Sequence, residues 1–254
     1  AEDIGAHFHI DAAWGGATLL SEQHRSLLHG VERADSITID AHKQMYVPMG
    51  AGLVLFKNPS LVKSIEHHAE YIIRQGSKDL GSHTMEGSRA GMAMMVFSAM
   101  HVIGRRGYEL LINNSIDKAR YFSKLIGEQD DFEVITEPEL CILTYRFVPE
   151  RVKKALENAT SEQLASLTPH LNALTRYIQK RQRETGRSFV SRTKLTPAQY
   201  HHEPTVVFRV VLANPLTTHD MLEEVLEEQR EIASKATSLR GALHTEMREL
   251  GMLN

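Results

Sequence analysis

His9-Ile10-Asp11-Ala12-Ala13-Trp14-Gly15-Gly16 and, 32 residues on from Asp11, the run Asp40-Ala41-His42-Lys43 decide the fold. His7 to Asp11 is a short stretch bounded by Gly5 and the Gly15-Gly16 pair, which predicts a buried parallel strand. Ser36-Ile37-Thr38-Ile39-Asp40 is rich in β-branched residues and predicts a second strand. Leu19 to Leu28, between them, carries helical spacing. The segment therefore reads as strand–helix–strand, about the length that brings two strand ends side by side. Asp11 and Asp40-Ala41-His42-Lys43 fall at the carboxyl ends of those strands, where open α/β sheets place ligands. Gly52-Leu53-Val54-Leu55-Phe56 predicts a third strand after the turn at Gly50-Ala51-Gly52.

Further along, residues 67–89 are polar and irregular, a loop length usually tied to function or mobility. A Met-rich helix is expected from Gly91 to His101 and an amphipathic one from Arg105 to Gly127. Near Asp130-Asp131 the texture changes. Strands are expected at Glu133–Thr136, Leu140–Phe147, Ser188–Arg192 and Val206–Leu212. Helices are expected at Leu164–Arg183 and His219–Lys235, with a helical tail over Leu239–Asn254. That pattern is an α+β domain with an antiparallel sheet. The expected division is 1–128, part of an α/β large domain, and 129–254, a small α+β domain.

Composition narrows the function. The chain has 254 residues, a net charge of −3 and Lys and Arg scattered along its length, so nucleic acid and anionic membrane are not expected partners. No apolar stretch reaches the roughly 20 residues of a membrane span. The first ten residues carry two acids and no basic cluster, unlike a secretory signal. The one cysteine, Cys141, lies in an apolar run as a buried thiol would, and it fits a reducing compartment; a cytoplasmic protein is expected. The chain opens without Met on what reads as the end of a helix, as the later part of a longer protein would.

By spacing alone, one Asp and one Lys at two strand ends make an ion pair more often than a cofactor site. The wording around them argues otherwise. Residues 9–16, then Gly30-Val31-Glu32-Arg33-Ala34-Asp35-Ser36, then His42-Lys43, resemble the group II pyridoxal-phosphate (PLP) amino-acid decarboxylases, three blocks in order with near-ungapped spacing. The resemblance implies a fold-type I, aminotransferase-like architecture, with PLP as cofactor. It puts Lys43 on the lysine that forms the Schiff base and Asp11 on the carboxylate that keeps the pyridine nitrogen protonated, as electron withdrawal by the ring requires. It puts Ala13 against the ring and His42 near the phosphate. Tyr71, in Ala69-Glu70-Tyr71-Ile72, falls on the family's mobile catalytic loop, where a phenol protonates the carbanion carbon. Ser88, in Glu86-Gly87-Ser88-Arg89, falls on a segment that closes over the phosphate from the other subunit.

Phe208-Arg209-Val210-Val211 before Asn214-Pro215 resembles the family's C-terminal block, in which the arginine grips the substrate α-carboxylate. The resemblance further implies a homodimer with sites shared across the subunits, and an amino acid as substrate. Trp14, Arg209 and the stretch Gly186 to Arg192 point to the acidic-substrate branch, aspartate ahead of glutamate. Asp40 departs from the pattern: many relatives carry Asn beside the phosphate, where an extra negative charge is unfavourable, so the resemblance assigns it no role. The family's ring-stacking His and phosphate-binding Ser/Thr cluster precede the Asp block and are not in this chain. A transaminase or other lyase of the same fold is the alternative. A metal-dependent hydrolase using His7 and His9 is a distant one, since the two alternate along one strand as zinc ligands can.

Overall fold

The computed structural model describes residues 4–67, 76, 80–84, 86 and 88–253, which form two compact units, Ala1–Asn113 and Asn114–Asn254.

In the first unit β1 (His9–Asp11), β2 (Ser36–Asp40) and β3 (Gly52–Phe56) make a three-stranded sheet in that order. β1 and β2 run parallel with Asp11 level with Thr38, and β3 returns antiparallel with Gly52 opposite Asp40. The connection between β1 and β2 departs from the expected helix over Leu19–Leu28. It is three short 3₁₀ turns, Gly16–Leu20, Arg25–Leu28 and Val31–Arg33. Ser21 breaks the helical run: its backbone is extended, and its hydroxyl accepts from the His24 amide at 3.1 Å and donates to Asn113 Oδ1 at 2.6 Å. Gly30, at φ +96°, opens the last turn in a conformation that favours glycine.

The helix α1 (Met92–Gly127) contains both helices expected from the sequence, separated by Gly104 at φ 66°, ψ 171°, where regular helix stops and resumes. After the break, Tyr108 is buried and its hydroxyl donates to the Met45 carbonyl at 3.0 Å, anchoring the turn that follows β2. Before the break, Met94, Met95, Phe97, Met100 and Val102 are all exposed, so this stretch is apolar around its circumference.

The second unit is an antiparallel sheet, β4 (Phe132–Thr136), β5 (Ile142–Phe147), β7 (Thr205–Val211) and β6 (Ser191–Leu195) in spatial order, with α2 (Glu150–Leu156), α3 (Ser161–Thr185), α4 (His219–Ser234) and α5 (Thr237–Glu249). The helix α3 starts on a capping box, with the Thr160 hydroxyl accepting from the Gln163 amide and the Gln163 side chain accepting from the Thr160 amide. It stops at Gly186 in the left-handed region. Leu167, Leu171, Leu174 and Ile178 give it an apolar stripe. Leu167 and Leu171 pack with Val148, Val152, Leu243 and Met247, and Leu164 with Ile135, Tyr200 and Val207. Cys141 is fully buried. The strand β6 begins three residues later than the sequence suggests, because residues 187–190 are held by side chains of α3. Gln182 Nε2 donates to Ser188 Oγ at 2.7 Å, and Gln179 Nε2 donates to the Val190 carbonyl at 3.2 Å.

Glu133 on β4 sits level with Arg146 on β5; Arg146 is fully buried and Glu133 half-buried. The Tyr200 hydroxyl donates to Glu133, the Arg146 guanidinium lies 5.1 Å from the Tyr200 ring centroid, and Arg146 Nη2 reaches Asn172 Oδ1 at 3.3 Å. Burial pushes the Glu133 carboxyl up, more than the Tyr200 hydrogen bond and the Arg146 charge pull it down. An unfolded glutamate titrates near pH 4.3, so the folded chain holds this proton more tightly. The stability the proton brings is complete below about pH 4.3 and is lost as pH rises through the higher folded value. Glu133→Gln should remove that pH-dependent loss. Denaturation midpoints measured from pH 4 to 7 should converge at the acid end and separate in favour of the variant above it; parallel curves would contradict the assignment.

Candidate functional site

The ends of β1 and β2 are tied together by their own backbone. The Ala12 amide donates to the Thr38 carbonyl at 3.0 Å and the Asp40 amide to the Ala13 carbonyl at 3.2 Å. Asp11 therefore projects from one strand end while the turn bearing His42 and Lys43 leaves the other. Asp11 Oδ1 accepts from the Ala13 amide at 3.0 Å, which fixes the carboxylate over its own turn. The chain then bends at Gly15, at φ +103°, and Gly16 passes so close to β2 that an added Cβ would lie 2.7 Å from Ile39 Cγ1. This close approach explains the glycine pair.

On β2's side, both the His42 amide and its Nδ1 reach the Ala51 carbonyl, at 3.1 and 2.8 Å. A carbonyl only accepts, so Nδ1 carries the proton and Nε2 is left to face Asp40 Oδ2 at 3.6 Å. Lys43 Nζ lies 2.8 Å from the same Oδ2. Sequence reasoning missed the coupling of Asp40 to the lysine; their three-residue separation across the turn was the available signal. The structure thus brings Asp11, Ala13, His42 and Lys43 to neighbouring strand ends, with Asp40 in their midst. Ser88 is described and exposed. Tyr71 lies outside the described residues.

Arg209 belongs to the second unit. It lies on β7 between Thr144 of β5 and Ser191 of β6, and its carbonyl accepts from Ser191 Oγ at 2.5 Å. The residue borders a cavity of about 530 Å³ lined also by Phe122, Ser188, Val211, Met221 and Glu228. Among the described residues no carboxylate pairs with its guanidinium. Behind the cavity wall runs a polar chain that sequence reasoning missed. Tyr145 donates to Gln229 Oε1 at 3.1 Å, Gln229 to Gln182 Oε1 at 3.2 Å, Gln182 to Ser188, and Ser188 to Glu228 Oε2 at 2.5 Å. Burial pushes the Tyr145 phenol far up, so it keeps the proton it donates to Gln229.

His7 Nε2 and His9 Nδ1 share one partner, Ser36 Oγ, at 2.8 and 2.7 Å, and His9 Nε2 lies 3.3 Å from Thr38 Oγ1. Among the described residues no three His, Cys, Asp or Glu side chains converge as metal ligands would.

The model of the pyridoxal-dependent decarboxylase conserved domain matches residues 1–148. Aspartate 1-decarboxylase of Aliivibrio fischeri is 67% identical over 236 residues, covering 93% of this chain and 43% of that protein. Mouse cysteine sulfinic acid decarboxylase is 28% identical over 232 residues, 88% of this chain and 44% of that protein. The chain thus spans less than half the length of these relatives. Among solved structures, mouse CSAD in apo form superposes with a TM-score of 0.78 at 24% identity, over 91% of this chain and 46% of that one. Oryza sativa TDC with PLP and tryptamine gives 0.75 at 20% identity, over 92% and 46%. These likenesses show the fold, that of the fold-type I PLP-dependent decarboxylases.

The close approach at Gly16 is testable by itself. Gly16→Ala should cost about 1–3 kcal/mol in chemical denaturation, the usual penalty of overpacking. A second change, Ile39→Ala, should relieve part of that cost in a double-mutant cycle. A loss below about 0.5 kcal/mol, the size of a surface substitution, would argue against the contact.

Proposed function

The chain belongs to the pyridoxal-dependent decarboxylase family, and from that premise we propose that it serves the PLP-dependent decarboxylation of an acidic L-amino acid, aspartate to β-alanine ahead of glutamate to 4-aminobutyrate. The observation that carries this reading is the meeting of Asp11, Ala13, His42 and Lys43 at two hydrogen-bonded strand ends.

The donor set fits the cofactor. A primary amine for an aldehyde, a carboxylate for a pyridinium and a small side chain for a flat ring stand on adjoining turns, and Asp11 has no cation beside it among the described residues. Bound there, PLP would supply an electron sink for the bond broken at Cα. Lys43 would hold it through Nζ, Asp11 would keep a proton on the ring nitrogen, Ala13 would lie against the ring, and His42 and Ser88 would serve the phosphate. Arg209, whose guanidinium pairs with no carboxylate among the described residues, would bind the substrate α-carboxylate in a two-pronged grip and fix the orientation of the Cα–carboxyl bond. Tyr71 would deliver the proton to Cα once carbon dioxide has left, on a loop that excludes water. The 67% identity to an aspartate 1-decarboxylase supports aspartate as substrate. A homodimer with shared sites, a cytoplasmic location and a domain boundary at 128/129 complete the reading; the start of the antiparallel sheet at Phe132 supports the last. No helix among the described residues is long and apolar enough to cross a membrane.

The test is the full-length protein with PLP and a panel of aspartate, glutamate, cysteine sulfinate and Dopa, with carbon dioxide and amine measured. Aspartate should turn over fastest, and no decarboxylation of any of the four would end the proposal. Lys43→Ala should lose the visible band of the bound cofactor. Arg209→Gln should lower kcat/KM for aspartate by at least about 10-fold, the loss of a charged hydrogen-bonded pair, while leaving that band in place. For Tyr71→Phe, slower turnover with more transaminated product is expected, and an unchanged product ratio would remove Tyr71 from the mechanism.

A further inference from the structure

Among the described residues Asp40 is the one acid placed against the amine on which the proposed chemistry depends. Its position is built. It closes β2 opposite Gly52, where an added Cβ would lie 3.3 Å from Asp40 Oδ1, so the glycine leaves room for the carboxylate. Its amide is committed to Ala13 and its carbonyl accepts from the Lys43 amide at 3.1 Å, which curls the turn until Nζ stands 2.8 Å from Oδ2. The pair is mostly shielded, with the two side chains 20% and 32% exposed. His42 faces the same oxygen through Nε2, and the Ala51 carbonyl holds its ring in place. From β3, Gly52 brings no charge; from β1's end, Ala13 contributes only its carbonyl, and Asp11 stands on the neighbouring turn.

We propose that Asp40 is a positioning residue for Lys43: through the 2.8 Å contact it parks the free side chain on the strand end whenever Nζ is not bonded to the cofactor. The inference rests on the reading of Lys43 as the cofactor lysine. A lysine held this way cannot attack until its Nζ leaves the carboxylate. Two consequences follow for the reaction. Cofactor uptake is slowed, and a lysine displaced by substrate is captured before it can displace the substrate in turn. Asparagine at this position would keep a hydrogen bond but lose the charge that holds the ammonium.

The experiment uses the full-length enzyme stripped of cofactor. Trace labelling with acetic anhydride at pH 7.5, followed by mass spectrometry, gives the amine reactivity of Lys43, with the exposed Lys194, which has no ion pair among the described residues, as internal reference. Asp40→Asn should raise Lys43 labelling about fivefold, the value of one partly exposed ion pair, and leave Lys194 unchanged. Asp40→Glu, which restores the charge, should bring the rate back toward wild type. An unchanged Lys43 rate in Asp40→Asn overturns the proposal. Should that variant fail to fold, labelling of the wild type at low salt and in 1 M salt decides: screening should speed Lys43 relative to Lys194, and equal ratios overturn the proposal. Borohydride reduction of the PLP-loaded wild type tests the premise separately. A pyridoxyl group on another lysine would sink the cofactor reading and leave the labelling result to stand as a statement about the ion pair.

Discussion

Two backbone hydrogen bonds, from Ala12 to Thr38 and from Asp40 to Ala13, set the terms for the site in the first unit. They extend the parallel pairing of β1 and β2 one step past the strands themselves, so that two turns, not two strands, are fastened together. Everything chemical sits on those turns. Asp11 is steadied by the Ala13 amide, Ala13 by Asp40, Lys43 by Asp40 and His42 by Ala51. The glycines at 15, 16 and 52 are the steric complement of this crowding, since the first reverses the chain and the other two make room. Moving either strand by one residue would turn every one of these side chains to the opposite face.

The second unit reaches rigidity by other means. Its helix α3 buries Asn172, Thr175, Gln179 and Gln182 together with its leucines, which would be expensive without partners. The partners are present: Asn172 takes the Val206 amide and gives to the Pro204 carbonyl, while Gln179 and Gln182 hold the segment before β6. The result is a directional run of donors from Tyr145 to Glu228 that fixes Ser188 in the wall of the cavity bordered by Arg209. An arginine on a half-buried strand normally finds an internal acid. Here Glu228, one of two acids lining the same cavity, accepts from Thr185 and Ser188, and among the described residues no carboxylate pairs with the Arg209 guanidinium.

Local pattern made much of this legible. β2 and β3 occur at the residues their β-branched and glycine-bounded runs suggest, because strand propensity and register there agree with the tertiary contacts. The antiparallel sheet and the long helices of the second unit follow their periodicity within a few residues. Where the sequence misled, a side chain far along the chain was responsible. The spacing of Leu19–Leu28 is helical, yet the Ser21 hydroxyl is committed to Asn113, and the segment winds as 3₁₀ turns instead. The start of β6 moved because glutamines of α3 occupy the carbonyl and hydroxyl before it. The seven-residue α2 after Pro149 was too short to register as a periodic pattern. Of the site, residue types and order were readable, whereas the coupling of Asp40 to Lys43 required coordinates, since nothing in Asp-Ala-His-Lys states which way the aspartate turns.

The stretch of α1 before Gly104 has a further consequence. Its thioethers at Met94, Met95 and Met100 stand open to water, with only Ser98 and His101 as exposed polar residues beside them. Such sulfur atoms, like that of the still more exposed Met49, are open to a dilute peroxide, and each sulfoxide converts a greasy turn into a polar, chiral one. The oxidation state of these three residues would therefore serve as a clock, recording how long this face of the chain has stood bare.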